Sequence, residues 1–282
     1  MKKRELQPST LLNFFPNISL PLIFAHRGCS AAFPENTIVA FEAALKNKVA
    51  AVELDVHLTK DNQLVIIHDK NCLRTTAKNY KIARTPYSLL RQCNAATTFN
   101  QNGSTNCKVE ALIKKPSKEI VTPIPTLEEL FALAKNAFIY DIEVKVNKKI
   151  KTTLSLINSL VQKYALSDNI ILSSFNPITV RLARKFNFKA TALIYGEEEE
   201  HFPKYIAKLL RLAKKKIARP IMLKPRRDHA IKEHEKELRL LSRGKQNRII
   251  ATWTVDDEKE AKQLIEHGIF GICTNHPEDL LK

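Results

Sequence analysis

The stretch 126–173, TLEELFALAKNAFIYDIEVKVNKKIKTTLSLINSLVQKYALSDNIILS, decides the fold. Thr126 and Glu129 stand at capping-box spacing and open the helix LEELFALAK. The β-rich run Phe138–Val144 follows, then a helix over Lys151–Lys163 and a second β run at Ile170–Ser173. A strand, a crossover helix and another strand form the unit from which parallel sheets are built.

The alternation continues toward the C-terminus. Helices are expected near Ile178–Lys185, Lys204–Lys215, Ala230–Ser242 and Glu258–His267, and strands at Thr191–Tyr195, Ile221–Lys224, Ile249–Trp253 and Ile269–Cys273. Toward the N-terminus, Leu22–Ala25 and Val52–Val56 read as strands. Asn36 or Thr37 can cap a helix between them, with Ile38, Phe41, Ala44 and Leu45 on one face. Gln63–Ile67 is a further β run. Only Lys60-Asp61-Asn62 separates it from the strand before, so it reads as a rim hairpin. Thr75–Thr122 is polar, basic and irregular, with the breaker cluster NQNGSTN at 100–106, and reads as an insertion. Without the hairpin, eight strands alternate with helices. The expectation is an α/β fold, a TIM (β/α)8 barrel in one domain over residues 1–282, with an insertion after the second strand region. A doubly wound sheet is the alternative, but its GxGxxG turn is missing.

The 282 residues, 44% hydrophobic and 27% charged, suffice for one barrel or two smaller domains. Cys29, Cys72, Cys93, Cys107 and Cys273 are odd in number and lack CxxC spacing, which argues against a disulfide framework or a structural zinc site. Reduced thiols fit a cytoplasmic location. The N-terminal MKKRELQPSTLLNFFPNISLPLIFA starts basic, but Glu5, Pro8, Asn13, Pro16 and Asn17 interrupt its apolar part, so a signal peptide is not expected.

The net charge is +17. Residues 204–248 hold 16 Lys/Arg against Asp228, Glu233, Glu235 and Glu237, a local excess of +12. Such a field attracts phosphorylated small molecules, anionic lipid or nucleic acid, although a solvated basic face has the same composition. The chain has no RNP, zinc-finger or helix-turn-helix signature and few aromatics among its lysines, which argues against nucleic acid. In the segment PKYIAKLLRLAKKK, Ile206, Leu209, Leu210 and Ala213 share a face. The expectation is that this face packs on the barrel; contact with an anionic membrane is the alternative.

Barrel enzymes carry their sites where strands end and βα loops begin. His26-Arg27-Gly28 follows the first strand, and His68-Asp69 follows the hairpin. Glu53 and Asp55 lie two apart, on one face of the second strand, as do Asp141, Glu143 and Lys145 in and after the third. Adjacent carboxylates facing a barrel interior repel and lose hydration. A hard divalent cation relieves both penalties, and oxygen donors suit Mg²⁺ or Ca²⁺; buried ion pairing is the alternative. His26 and His68 can serve as acid and base, while Arg27 and Lys145 supply positive charge for phosphate. His57 is expected past the end of its strand, in packing or in solvent.

The runs AHRGCSAAFPENTIVAFEAAL, VELDVHLTKDNQLVIIHDKNCLRTT, IPTLEEL, IEVK, SSFNP and WTVDD, in that order, closely resemble the glycerophosphodiester phosphodiesterase family from about Ile23 to the C-terminus. The resemblance implies a TIM barrel carrying an insertion. It implies His26 and His68 as the catalytic acid/base pair and Glu53, Asp55 and Glu143 as metal ligands. Arg27 and Lys145 would contact phosphate, and Trp253 would lie by the substrate. The implied reaction is metal-dependent hydrolysis of a glycerophosphodiester to an alcohol and glycerol 3-phosphate, with water or the neighbouring glycerol hydroxyl as nucleophile. A lysophospholipase D or sphingomyelinase-D-like activity on membrane lipids is the neighbouring alternative. Three stretches depart from the family pattern: the polar, basic insertion, the segment IMLKPRRDHAI, and TNHPED, where the family tends to place an acidic residue after Thr.

Overall fold

The computed structural model describes residues 20–102, 120–196, 204–242 and 248–281. Its strands are β1 (Leu22–His26), β2 (Ala51–Leu58), β3 (Leu64–Ile66), β4 (Ile139–Val144), β5 (Ile170–Ser174), β6 (Ala190–Tyr195), β7 (Met222–Pro225), β8 (Ile249–Thr252) and β9 (Gly271–Thr274). Each neighbouring pair among β1, β2 and β4–β9 is parallel, and β1 pairs with both β9 and β2. The eight-stranded ring is therefore closed. That closure excludes the open doubly wound sheet and establishes the TIM barrel expected from the sequence. β3 lies antiparallel on β2, as the short link predicts.

Alternation along β2 divides two cores. Val52, Leu54, Val56 and Leu58 join Phe41, Phe131, Ile142 and Leu154 in the layer between sheet and helices. Ala51 belongs instead to the barrel interior, with Leu22, Phe24, Ile171, Met222 and Cys273. Glu53, Asp55 and His57 share the face of Ala51, so they point inward.

The boundaries differ from the sequence reading at four informative places. β2 runs on to Leu58 because β3 pairs with its last residues, so His57 lies within the strand and is buried. The helix Ile38–Lys46 is capped by Thr37, whose hydroxyl accepts from the Ala40 amide, not by Asn36. The segment after Thr75 is more ordered than expected: short helices form at Leu73–Thr76, Tyr87–Leu90 and Thr97–Asn102, and Cys72, Ile82, Leu90, Cys93, Ala95 and Ile124 share a core with Val65 and Ile67 of the hairpin. Most of NQNGSTN lies outside the described residues.

The fourth place is the helix Lys204–Ala218, where the side chains of residues 204–210 lie outside the described ones. In the described part, Lys215 and Ala218 are buried, whereas Ala213 is exposed and Leu212 and Ile217 are 43% and 41% exposed. The apolar face expected to pack on the barrel thus has its Ala213 end in solvent. Lys215 turns inward to pair with Glu233 of the next helix, Arg227–Ser242, at 2.5 Å, with its ammonium 4.8 Å from the Tyr195 ring centroid.

Candidate active site

The first group forms where β1 ends. Arg27 and Gly28 turn the chain with φ of 57° and 80°. A Cβ on Gly28 would lie 2.7 Å from the Ala40 Cβ, so glycine is demanded both by backbone conformation and by the close approach of the helix Ile38–Lys46. This turn leaves His26 facing the barrel mouth. Its Nδ1 lies 2.7 Å from Asn275 Oδ1. The orientation of that amide is set by Asp256, which accepts from Asn275 Nδ2 at 2.7 Å and from the Asn275 backbone N–H at 2.8 Å. Asn275 Oδ1 is therefore an acceptor, His26 Nδ1 donates to it, and the lone pair sits on Nε2, 3.8 Å from Glu53 Oε2. Burial, followed by the charge of Arg27, holds the His26 pKa down at about 4, so the imidazole is neutral.

The second group comes from strand register. β2 and β4 pair so that Glu53 faces Asp141 and Asp55 faces Glu143. Oxygen atoms of Glu53, Asp55 and Glu143 all lie within 4.8 Å of one another. Asp141 stands apart: its carboxylate is ion-paired with Lys224 from β7 and accepts a 2.6 Å hydrogen bond from the Ser173 hydroxyl. Burial, followed by the Asp55 charge, pushes Glu53 well above the usual carboxylate range. Burial likewise lifts Glu143 to about 7 against the pull of Lys145. Asp55 goes the other way: burial is outweighed by Lys145 and Arg27, which keep it ionised. Lys145 Nζ lies 3.1 Å from Asp55 Oδ1 and 2.7 Å from Glu143 Oε1, and Arg27 Nε lies 3.2 Å from Asp55 Oδ2. Asp55 Oδ1 is buried and accepts no hydrogen bond. Three buried carboxyls, two of them reluctant to ionise without added positive charge, fit a hard divalent cation.

His68 follows the hairpin and is less enclosed, with a third of its side chain exposed. Its Nδ1 lies 2.7 Å from Asp69 Oδ1, and burial, ahead of its charged neighbours, lowers its pKa. Asp69 is held in turn by Arg74 Nε at 2.7 Å. Arg74 also forks onto both oxygens of Glu35 at 2.7 Å, and Glu35 accepts from Arg27 Nη1 at 3.0 Å. A continuous ionic chain therefore joins the second histidine to the carboxylate cluster. His57 Nε2 lies 3.0 Å from the His68 carbonyl oxygen and so acts on the histidine's backbone. Asn36 donates from Nδ2 to Asp55 Oδ2 at 2.8 Å, which explains why it does not cap the helix. Trp253, just past β8, donates its indole N–H to the Lys224 carbonyl at 3.1 Å and meets Phe175 edge-on at 5.5 Å. Lys145 Nζ lies 5.7 Å from the Phe175 ring centroid, so the aromatic pair adjoins the charged cluster.

Each site residue expected from the sequence thus falls at the C-terminal mouth of the ring or on the hairpin beside it. Sequence reasoning did not single out Glu35, Asn36, Asp69, Arg74, Asp256, Asn275 or Lys224 for the contacts they make. Of these, Glu35 and Asn36 lie in the run PENT, whose position just after His26 was the available signal.

A cation-seeking carboxylate cluster set between a guanidinium and an ammonium, with two oriented imidazoles, is the equipment of a hydrolase acting on phosphate esters. The chain belongs to the glycerophosphoryl diester phosphodiesterase family, whose model matches residues 26–279. It is 31% identical over 270 residues to a glycerophosphodiester phosphodiesterase of Caldanaerobacter subterraneus, covering 92% of this chain and 96% of that one. It is 26% identical to a human lysophospholipase D, covering 91% and 83%. A phosphodiesterase of Oleispira antarctica, solved in complex with the product sn-glycerol-3-phosphate, shares the fold with a TM-score of 0.71 at 21% identity, covering 93% of this chain and 96% of that one.

Proposed function

We propose that the chain is a single catalytic domain that hydrolyses glycerophosphodiesters to an alcohol and glycerol 3-phosphate, with His26 and His68 as the acid/base pair. The observation that carries this reading is the cluster of Glu53, Asp55 and Glu143 within 4.8 Å, bracketed by Arg27 and Lys145. These carboxylates would hold one divalent cation, Mg²⁺ or Ca²⁺, which when bound polarises a non-bridging phosphate oxygen. The charge balance supports the same reading. Glu53, Asp55, Asp141 and Glu143 face Arg27, Lys145 and Lys224, one positive charge short of neutrality. A divalent cation together with a monoanionic phosphodiester makes the interior neutral.

The chain's own groups divide the remaining work. Arg27 and Lys145 bind the phosphate oxygens, and Trp253 with Phe175 walls the alcohol side. His26 has a neutral amide behind Nδ1 and a lone pair at Nε2, which suits it to accept the nucleophile's proton. His68 has the carboxylate of Asp69 behind Nδ1, a partner that gains when imidazole becomes imidazolium, so it suits proton delivery to the leaving alcohol. The four described cysteines form no disulfide with one another, in keeping with a cytoplasmic setting, and among the described residues no helix is long and apolar enough to cross a membrane. The test is release of glycerol 3-phosphate from a panel of glycerophosphodiesters, with Mg²⁺, with Ca²⁺ and with EDTA. Turnover unaffected by EDTA, or by Glu53→Gln, would remove the metal from the proposal; no release from any member would remove the activity.

A second reading, lysophospholipase D-type cleavage at an anionic membrane, is favoured by the exposure of Leu212 and Ile217 on a lysine-rich helix. Co-sedimentation with anionic liposomes, and preference for a lysolipid over glycerophosphocholine, would select it.

A further inference from the structure

The metal-seeking geometry of the barrel mouth extends beyond the three carboxylates. Cys273, on the inward face of β9 next to the end of the strand, brings its Sγ within 4.8 Å of donor atoms of His26 and Glu53. It is a free thiol, only 2% exposed, and the reaction proposed above makes no use of it.

We propose that His26 Nε2, Glu53 and Cys273 Sγ form a second cation site, selective for thiophilic divalent ions such as Zn²⁺, beside the hard-ion cluster of Glu53, Asp55 and Glu143. Three observations support it. The donor set is one imidazole, one carboxylate and one thiol, the borderline-soft combination that zinc takes in tetrahedral sites and that Mg²⁺ and Ca²⁺ do not. The His26 lone pair is already on Nε2, because Asn275 receives the Nδ1 proton and Asp256 fixes Asn275; metal-binding histidines are held in this way by their outer-shell partners. One edge of the site is close to the length needed. Zinc at about 2.3 Å from sulfur and about 2.0 Å from nitrogen and oxygen places its ligands roughly 3.3–3.6 Å apart. The His26–Glu53 separation is 3.8 Å, so that edge has little to close. The fourth position is left to water.

On binding, the S–H bond of Cys273 breaks, its proton leaves to solvent and the sulfur lone pair forms the metal bond, with no redox step. The consequence for turnover rests on the proposed role of His26: an Nε2 committed to a metal cannot accept a proton, so zinc inhibits the enzyme in the presence of saturating Mg²⁺ or Ca²⁺.

The experiment titrates Co²⁺, as a spectroscopic stand-in for zinc, into the chelator-stripped full chain. A sulfur-to-cobalt charge-transfer band is expected in the parent, is abolished in Cys273→Ser and Cys273→Ala, and is retained in Cys72→Ser. Zn²⁺ should displace the cobalt and remove the band; excess Mg²⁺ should not generate one. Absence of the band in the parent, or its survival in both Cys273 variants, overturns the site. Two Cys273 variants are used so that a folding defect in one, seen by circular dichroism, leaves the other decisive. In the activity arm, loss of the thiolate should raise the inhibitory zinc concentration by at least about tenfold. A band without any phosphodiester turnover would leave the site standing and count against the catalytic reading alone.

Discussion

Replacing Lys224 by Met tests how the interior charges are apportioned. Lys224 and Asp141 are 3% and 0% exposed at their side chains, and their charged atoms are in direct contact. Burial disfavours the Lys224 ammonium, but Asp141, then Cys273 and Glu53, raise its pKa on balance. A pKa raised by folding means stability fully present below the unfolded lysine value of about 10.4, and lost only as pH rises through the folded value. The pair is therefore at full strength at neutral pH. Removing one partner of such a buried pair costs about 3–5 kcal/mol, because the other charge is left without water or counterion. For a chain of this length each kcal/mol corresponds to roughly 2 °C, so Lys224→Met should lower Tm by roughly 6–10 °C. Asp141→Asn added to that variant keeps an acceptor for Ser173 and removes the stranded charge. It should recover at least half of the loss. Differential scanning calorimetry at pH 7 without divalent cations gives both numbers. Isothermal titration of Mg²⁺ or Ca²⁺ into the double variant completes the test, with affinity expected to match the parent. An unchanged Tm in Lys224→Met, or lost cation binding in the double variant, would refute the assignment of Asp141 to Lys224 and place Asp141 in the metal cluster.

Two further outcomes follow from the histidines and their supports. His26→Ala and His68→Ala should each lower kcat by on the order of 10²–10⁴-fold while leaving the circular dichroism spectrum unchanged; parent-like turnover in both would dismiss them as acid and base. Asn275→Ala frees His26 Nδ1, and Asp256→Asn unlocks the Asn275 amide. Both should lower kcat by up to about 10²-fold with little change in KM, in steady-state assays on glycerophosphocholine, and a KM effect alone would reduce Asn275 to packing.

What the sequence disclosed was decided by whether the partner lay nearby in the chain. The i, i+2 carboxylates Glu53/Asp55 and Asp141/Glu143 could be read directly because strand alternation dictates their face. The capping box was equally local, and both of its hydrogen bonds form, at 2.8 and 3.1 Å. Asn36 and Thr37 were equivalent as caps on paper. They separate only because Asn36 takes a φ of 56°, outside the extended conformation of a cap, and spends its side chain on Asp55. His57 looked as if it lay past its strand because the residues that extend β2 belong to β3. In the helix Lys204–Ala218 only Ala213 of the expected apolar face is among the described side chains; it is exposed, while Glu233 of the following helix draws Lys215 inward, a pull that an apolar stripe does not reveal. The ion pairs of Arg74 with Glu35, and the hold of Asp256 on Asn275, span 39 and 19 residues and leave no periodic trace.

The two rows of acids divide the interior's lysines between them. Register places Glu53 level with Asp141 in the deeper row and Asp55 level with Glu143 one step nearer the mouth. The deeper row receives Lys224 from β7, across the ring, and that ammonium settles on Asp141 with Ser173 as second donor. The outer row receives Lys145, which belongs to β4's own extension and reaches both Asp55 and Glu143 from the side. Glu53 keeps the other place in the deeper row, displaced above its ordinary pKa and facing His26. A fixed lysine in the deeper row therefore does more than balance charge. By taking Asp141 out of contention, it leaves Glu53 and Glu143, beside the ionised Asp55, as the acids still short of positive charge. Beside Glu53 stands Cys273, whose sulfur lies within 4.8 Å of donor atoms of His26 and Glu53 and carries the proposed second site. Under that proposal, selectivity between hard and thiophilic ions at this mouth depends on whether Glu53 is joined by the carboxylates of Asp55 and Glu143 or by His26 and the sulfur of Cys273.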